Sequence, residues 1–280
     1  MIGFIVDVEF VWGFQANDVG SSKTPSPFYY PPPTTFLGAL SESIAKDHGL
    51  PEKDVRESLL ALSKELLAVG LKPLNCLPVK YEDINRIIAI KRTAGVLCPT
   101  PADLRGSFDS PARGKTILIS RDGEAPKIRW VLIFRNPAVK ISDKEFPLAE
   151  DYFWGIHRIG SKESLVSVVN VETSAVEPIK DNEAKDGIET TYSFPVEAIH
   201  EILREGPTSW ASETYINPFD FSGEPVKDYK EGRKLMTYRI PLKEIDAEYY
   251  CIVKLSEKGV AYKHKDGIII GWQRPPLKSS

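Results

Sequence analysis

Lys23-Thr24-Pro25-Ser26-Pro27-Phe28-Tyr29-Tyr30-Pro31-Pro32-Pro33-Thr34-Thr35-Phe36-Leu37-Gly38-Ala39-Leu40, continuing through Ser41–Ala45, is the stretch around which this 280-residue chain is organised. Proline fixes φ and lacks a backbone donor, so Pro31–Pro33 fit neither a strand nor a helix interior. They stiffen an extended approach to a helix start, with Thr34 or Thr35 as the expected cap. Phe36, Leu37, Leu40 and Ile44 recur at helical spacing and predict an apolar face from about Thr35 to Asp47. Gly38 inside that helix costs about 1 kcal/mol relative to Ala, which is expected to reflect close approach of another backbone. On these cues alone the segment is a rigid linker feeding a core helix.

Upstream, Phe4, Val6, Val8, Phe10 and Trp12 alternate with Ile5, Asp7, Glu9 and Val11, the pattern of a half-buried strand. Downstream, Pro51 opens a second helix, and Val55, Leu59, Leu62, Leu66 and Val69 carry it to Gly70. Ile84–Thr93 reads as a strand running into basic residues. Gly95–Ala112, with three prolines, is a candidate mobile loop. Lys115–Arg121 and Lys127–Arg135 are strands joined by Asp122-Gly123, a hairpin signal. Such an arm, basic on one side, either reaches over a nucleic-acid strand or is a plain surface hairpin. Leu165–Thr173 is a valine-rich strand, Ser193–Arg204 a short helix, and 207–234 irregular. Arg239–Leu242, Glu248–Leu255 and a hairpin of Val260–Lys263 with Gly267–Trp272 complete the chain. The order predicts an α+β fold with a largely antiparallel sheet. A βαββαβ ferredoxin-like core carrying insertions fits it.

Apolar content of 42% and charged content of 27% are those of an ordinary globular protein. The net charge of −3 argues against a generic basic nucleic-acid binder. The charge is uneven, however. Between Lys80 and Lys140 twelve Lys/Arg stand against six Asp/Glu, a local +6 that leaves −9 elsewhere. A basic middle fits one RNA-facing region as well as it fits solvated loops. Cys76, Cys98 and Cys251 lack zinc spacing and read as reduced core residues of a cytoplasmic protein. Asp7 comes too early for a signal peptide, and no apolar run approaches the ~20 residues of a membrane span. Nothing in the sequence calls for a metal or a cofactor.

His157-Arg158-Ile159-Gly160-Ser161-Lys162-Glu163-Ser164 is the second informative stretch. Gly160 permits a tight turn or close approach to a ligand. His157, Arg158 and Lys162 bring donors to the same place, and Ser161 and Ser164 add hydroxyls. Such a loop either wraps a phosphate or is a solvated turn; it is not a Walker A motif.

The two stretches together resemble Cas-five, the fifth-numbered subunit of the CRISPR-associated Cascade complexes and a member of the RAMP superfamily. The resemblance rests on the aromatic Pro-Pro-Pro-Thr-Thr-x-Leu-Gly-Ala-Leu segment and on Ile-Gly-Ser-Lys-Glu-Ser, which match in order and spacing. Trp12-Gly13-Phe14 and the tyrosines before the prolines look most like the archaeal type I-A branch. The resemblance implies a ferredoxin-like (RRM-like) palm in a single RAMP-type domain over 1–280. It further implies a β-hairpin thumb inserted at 94–130 and a C-terminal extension of strands and a short helix at 174–280. It implies a non-catalytic subunit that grips the 5′ handle of the CRISPR RNA and caps the Cas-seven backbone filament. Such a subunit contacts the Cascade large subunit and meets target DNA indirectly. Candidate RNA-binding residues are Lys91, Arg92, Arg105, Arg113, His157, Arg158, Gly160, Ser161 and Lys162. Only Gly160, Ser161 and Lys162 rest on the motif; the others rest on charge and placement. Tyr29 and Tyr30 are candidates for stacking on bases, or for burial against the first helix.

The rival reading is a metal-independent endoribonuclease that processes the CRISPR precursor, an activity known in the type I-C branch. Such cleavage needs an acid or base near a 2′-hydroxyl. His48, His200 and His264 read as surface residues. His157 alone lies in a basic loop, and His157, Lys162 and Tyr29 would form the set. A third reading is an α+β interaction module with no RNA role.

Overall fold

The alternating strand at the N-terminus becomes β1 (Ile2–Phe10), inner strand of a four-stranded antiparallel sheet. The computed structural model describes the chain except residues 17–25, 85–86, 89–90, 94–95, 99–107, 110–111, 181–183, 185, 207–208, 222–223, 243–249 and 274–280. It also leaves undescribed the side chains of 52–53, 82–84, 87–88, 91–93, 96–98, 108–109, 112–113, 209 and 226. A two-residue strand, β2 (Gly13–Phe14), follows β1. Helices α1 (Pro33–Asp47) and α2 (Glu52–Glu65) lead into β3 (Leu66–Pro73) and β4 (Cys76–Ile84). After β5 (Ala112–Ser120) and β6 (Lys127–Phe134), a short α3 (Glu150–Trp154) precedes β7 (Val166–Ser174). The main sheet has the order β7-β1-β6-β3. Ile2 lies opposite Phe134, Phe10 opposite Val166, and Ile128 opposite Pro73.

On one face Phe4, Val6, Val8 and Phe10 pack under the helices. Phe36 of α1 stacks on Trp130 at 4.6 Å, and Phe153 of α3 lies 4.7 Å from Phe4. The other face is covered too, a departure from the half-buried strand expected. Ile5, Leu67, Ala68, Val131 and Ile133 pack against Tyr192 and against Tyr262 and Ile269, the latter two brought there by the hairpin Gly259–His264/Gly267–Trp272. Asp7 is buried on that face because Arg129 grips it at 2.6 and 2.7 Å. Asp266 joins this cluster through Arg129 at 3.0 Å and Lys72 at 2.6 Å.

Helix α1 starts at Pro33, with Pro32 in the capping position and no side-chain cap. Proline at the first helical position has no N–H to satisfy, so Thr34 and Thr35 fall inside the first turn; Thr35 N donates to Pro32 O at 2.9 Å. Phe36, Leu37, Leu40 and Ile44 are all fully buried. Gly38 has no neighbour within 4 Å of where a Cβ would sit, so the expected close approach is not there. It borders an open groove with Ser41, Val55, Leu59, Phe221 and Pro225. Helix α2 ends at Glu65 rather than at Gly70: Leu66–Leu71 is a continuous apolar run buried on both faces, and extension serves it better than a helix with one wet face.

Asp122-Gly123 does not close a hairpin. β5 pairs with β4 from Cys76↔Ser120 to Ile84↔Ala112, and with β2, whereas β6 joins β1 and β3. The cause is Asn75. Its Nδ2 donates to both Asp122 carboxylate oxygens (3.0 and 3.1 Å) and to Ala125 O, and its Oδ1 accepts from Lys127 N at 2.7 Å. The turns at 74–75 and 121–126 therefore lock together where the chain leaves the sheet and returns. What projects from this corner is a two-stranded arm of nine residue pairs, β4 with β5. Further out, Ile87–Ile88 pairs with Phe108–Asp109, and Lys91–Thr93 with Val96–Cys98.

Three more expectations are corrected. Ser193–Arg204 is not a helix: Phe194–Pro195 pairs with Tyr238 and Arg239, one 3-10 turn follows, and Ile199–Glu205 is a strand against Cys251–Leu255. β-Branched Ile199 and Ile202 suit that pairing. Residues 207–234 contain the strand Ser209–Ile216, paired throughout with Leu235–Leu242, and a helix Pro225–Lys230. His264 is buried, not at the surface, and burial lowers its pKa to about 4. Most of the Gly95–Ala112 loop and the start of the Glu248–Leu255 strand lie outside the described residues. Among the described residues no helix is long and apolar enough to cross a membrane.

Candidate nucleic-acid interface

The loop 157–164 is built around two buried anchors, Ile159 and Ser164. Ile159 N donates to Ser164 O at 3.1 Å, and Ser164 N to Ser161 O at 3.0 Å, which folds the segment back on itself. Its outer contact is with the turn after β1. Ser161 N donates to Gln15 O (3.3 Å), and Gln15 N donates to Ser164 Oγ (3.0 Å). Gly160 sits at φ +117, where a Cβ would come 3.0 Å from that same Gln15 oxygen. Trp12 adds a second tie, its Nε1 donating to Glu163 O at 2.8 Å.

The 12–15 segment is in turn part of the base of the arm. Gly13 pairs with Ile117 and Phe14 with Thr116 of β5. Gly13, at φ +147, has Thr116 O 2.0 Å from a would-be Cβ, so only glycine lets the two backbones pass. The Gly-Ser-Lys loop and the arm thus share one surface through residues 12–15.

Of the expected site residues, His157, Arg158, Gly160, Ser161 and Lys162 lie in this loop. His157 and Lys162 are exposed, with His157 Nδ1 3.3 Å from Gly155 O. Ser161 Oγ donates to Glu163 at 2.9 Å. Arg158 is not free: its Nη2 donates to both Glu42 carboxylate oxygens at 3.1 Å. Lys46 first, and Arg158 after it, hold the Glu42 carboxyl below its ordinary range against partial burial. Arg113 stands on β5 opposite Asp83. Lys91 and Arg92 lie further along the arm, opposite Cys98 and Leu97. Arg105 is outside the described residues.

The two tyrosines divide. Tyr30 is fully buried, while Tyr29 is half-buried beneath the arm. Tyr29 N donates to both Glu213 carboxylate oxygens at 2.9 Å, and Lys80 of β4 reaches Glu213 at 2.8 Å. Tyr215 OH completes the set at 2.8 Å. Burial pushes the Glu213 carboxyl up, against the pull of Lys80 and the Tyr29 N–H. Lys80, Glu213, Trp12, Gln15 and Lys115 were not expected at the site. Only the aromatic character of Trp12 and the local excess of lysine hinted at them. Cys76 and Cys251 are buried and unpaired. Among the described residues no cluster of His, Cys, Asp and Glu could hold a metal ion.

A crystal structure described as a CRISPR protein from Archaeoglobus fulgidus matches 97% of this chain and 100% of its own, with 45% identity and a TM-score of 0.69. Two Saccharolobus solfataricus proteins, "CRISPR system aCascade subunit Cas5 1" and "CRISPR-associated protein Cas5 3", are each 27% identical over 250 residues, covering 85% of this chain and 89% of theirs. The chain belongs to the Cas5 family of CRISPR proteins. No protein-family model matches it. For a Cas5 chain the resemblance noted in the two motifs acquires a place in space. The Pro-rich segment feeds the helix over the sheet, and the Gly-Ser-Lys loop closes on the foot of the arm.

Proposed function

We propose that this Cas5 chain is a non-catalytic, RNA-binding structural subunit of a Cascade-type CRISPR complex. It holds the 5′ handle of the CRISPR RNA between the loop 157–164 and the arm, caps the Cas-seven backbone filament, and contacts the large subunit and, indirectly, target DNA. The observation that carries this reading is the stapling of the Gly-Ser-Lys loop to residues 12–15, which are themselves paired with β5. Further support comes from the sheet order β7-β1-β6-β3 with helices after its first and third strands, the arrangement of a ferredoxin-like RAMP palm. The thumb role goes to the arm between Cys76 and Ser120, because both its strands issue from one locked corner. The second face of the sheet is occupied by Tyr192, Tyr262 and Ile269, which directs RNA to the loop and arm rather than across the sheet as in an RRM.

The non-catalytic part of the reading draws on Tyr29. Its ring is covered by the Lys80 ammonium at 3.7 Å. The test is binding of a labelled CRISPR repeat RNA against a scrambled RNA, with EDTA present and the RNA checked on a denaturing gel. Handle-selective, salt-sensitive binding of intact RNA is expected. Lys162→Ala should lower the slope of log K against log salt by about 0.7. A discrete cut lost in His157→Ala would instead establish an endoribonuclease.

A further inference from the structure

Lys115 stands on the outward face of the arm with an aromatic ring on either side. Across the strand pair it is directly opposite Tyr81, so the two side chains share a face. On its other flank its Nζ lies 6.0 Å from the centre of the Trp12 ring. Tyr81 is 49% exposed, and Trp12 is partly exposed. Among the described residues, neither ring belongs to the main buried apolar cluster. Trp12 is held in place by its bond to Glu163 O, which makes the platform continuous with the loop 157–164. Gly13, beside Ile117, lets the backbone next to Trp12 pass close against β5.

We infer that Trp12 and Tyr81, flanking Lys115 on the outward face of the arm, form a stacking platform for two unpaired RNA bases, with Lys115 on the phosphate between them. This deepens the RNA-binding reading and rests on it. Rings present flat faces to any base, and a lysine between them neutralises the charge that two adjacent nucleotides bring. Tyr81 lies on the strand to one side of β5, level with Lys115, and Trp12 lies on the other side, level with Leu118, so the rings are offset along the arm. Two offset rings suit bases splayed from a single strand rather than a duplex. Nearer the body the same face carries Leu77, Val79, Ile117 and Ile119, paired as Leu77↔Ile119 and Val79↔Ile117. This aliphatic part marks the limit of the platform, since it offers nothing to a phosphate.

The experiment measures affinity for the labelled CRISPR repeat RNA over a salt series, using the full chain and its Trp12→Ala, Trp12→Phe, Tyr81→Ala, Tyr81→Phe and Lys115→Ala variants. Each alanine at a ring position should weaken binding about tenfold or more, with the phenylalanine variants close to the parent. The ring variants should keep the salt slope, and Lys115→Ala should reduce it by about 0.7. Tyr81 is exposed, so its variants report on binding even if Trp12→Ala loosens the loop; a thermal melt of each variant separates the two effects. Undiminished affinity in all five variants would overturn the platform while leaving RNA binding intact. Retained RNA affinity with loss of a co-purifying protein subunit would also overturn it, assigning the face to a protein partner. Failure of the parent chain to bind the RNA at all would overturn the underlying reading, and the platform with it.

Discussion

Lys80 Nζ lies 2.8 Å from the Glu213 carboxylate and 3.7 Å above the Tyr29 ring, so a single ammonium joins the arm, the Pro-rich segment and the C-terminal strands. Glu213→Ala removes the partner of Lys80, of the Tyr29 N–H and of Tyr215 OH together. Breaking such a buried pair from one side costs about 3 kcal/mol, to be read from urea unfolding.

The same carboxyl predicts a pH effect. Its folded-state pKa is raised by burial, so it binds a proton more tightly folded than unfolded. Its contribution is fully present below the ordinary carboxylate range and is lost as pH rises through the raised value. The stability of the parent chain relative to Glu213→Gln should therefore fall as pH rises above the ordinary carboxylate range.

On the far face of the sheet the expected sign is opposite. Burial raises the Asp266 carboxyl, but Lys72, Tyr192 and Arg129 outweigh it and bring it to about 2. Stability from Asp266 is present above its unfolded value and is lost as pH falls through about 2. Asp266→Asn should cost about 2 kcal/mol near neutrality. His264, two residues away and lowered to about 4 by burial, gives a separate loss as pH falls from about 6.5 toward 4. Acid titration of the parent, Asp266→Asn and His264→Gln should resolve the two windows.

Gly160→Ala would place a methyl 3.0 Å from Gln15 O at φ +117. A strained backbone of this kind costs about 1–3 kcal/mol. Weaker RNA binding should accompany it, because the loop loses its seat on residues 12–15.

Gly38→Ala is the contrasting case. No atom lies within 4 Å of the added methyl, and the residue is helical. Stability should rise by up to about 1 kcal/mol, measured as an upward shift in the thermal midpoint.

Local signals were legible in the sequence, and long-range ones were not. Phe36, Leu37, Leu40 and Ile44 announced α1 because helical spacing is a property of neighbours. The alternation in β1 identified a strand but not its second cover, which comes from Tyr262 and Ile269 near the other end of the chain. Asp122-Gly123 carried a hairpin signal, but its strands were claimed by other partners once Asn75 tied the corner. Val196, Ile199 and Leu203 fit helical spacing, yet Cys251–Leu255 offered an edge to pair with. At the site, Gly160, Ser161 and Lys162 were readable as a motif. The Tyr29–Glu213 bond spans 184 positions and the Lys80–Glu213 bond spans 133, distances over which no spacing rule operates.

The corner at Asn75 gives the arm the character of a cantilever. Its nine residue pairs run about 30 Å along the arm, and one amide side chain clamps both ends of the chain at the root. Force applied at the tip must pass through that clamp into Lys127, and so into β6, the strand adjoining β1 and β3. Any load on the arm is thereby coupled mechanically to the middle of the sheet, with Lys80 and Glu213 acting as a brace part-way along the beam.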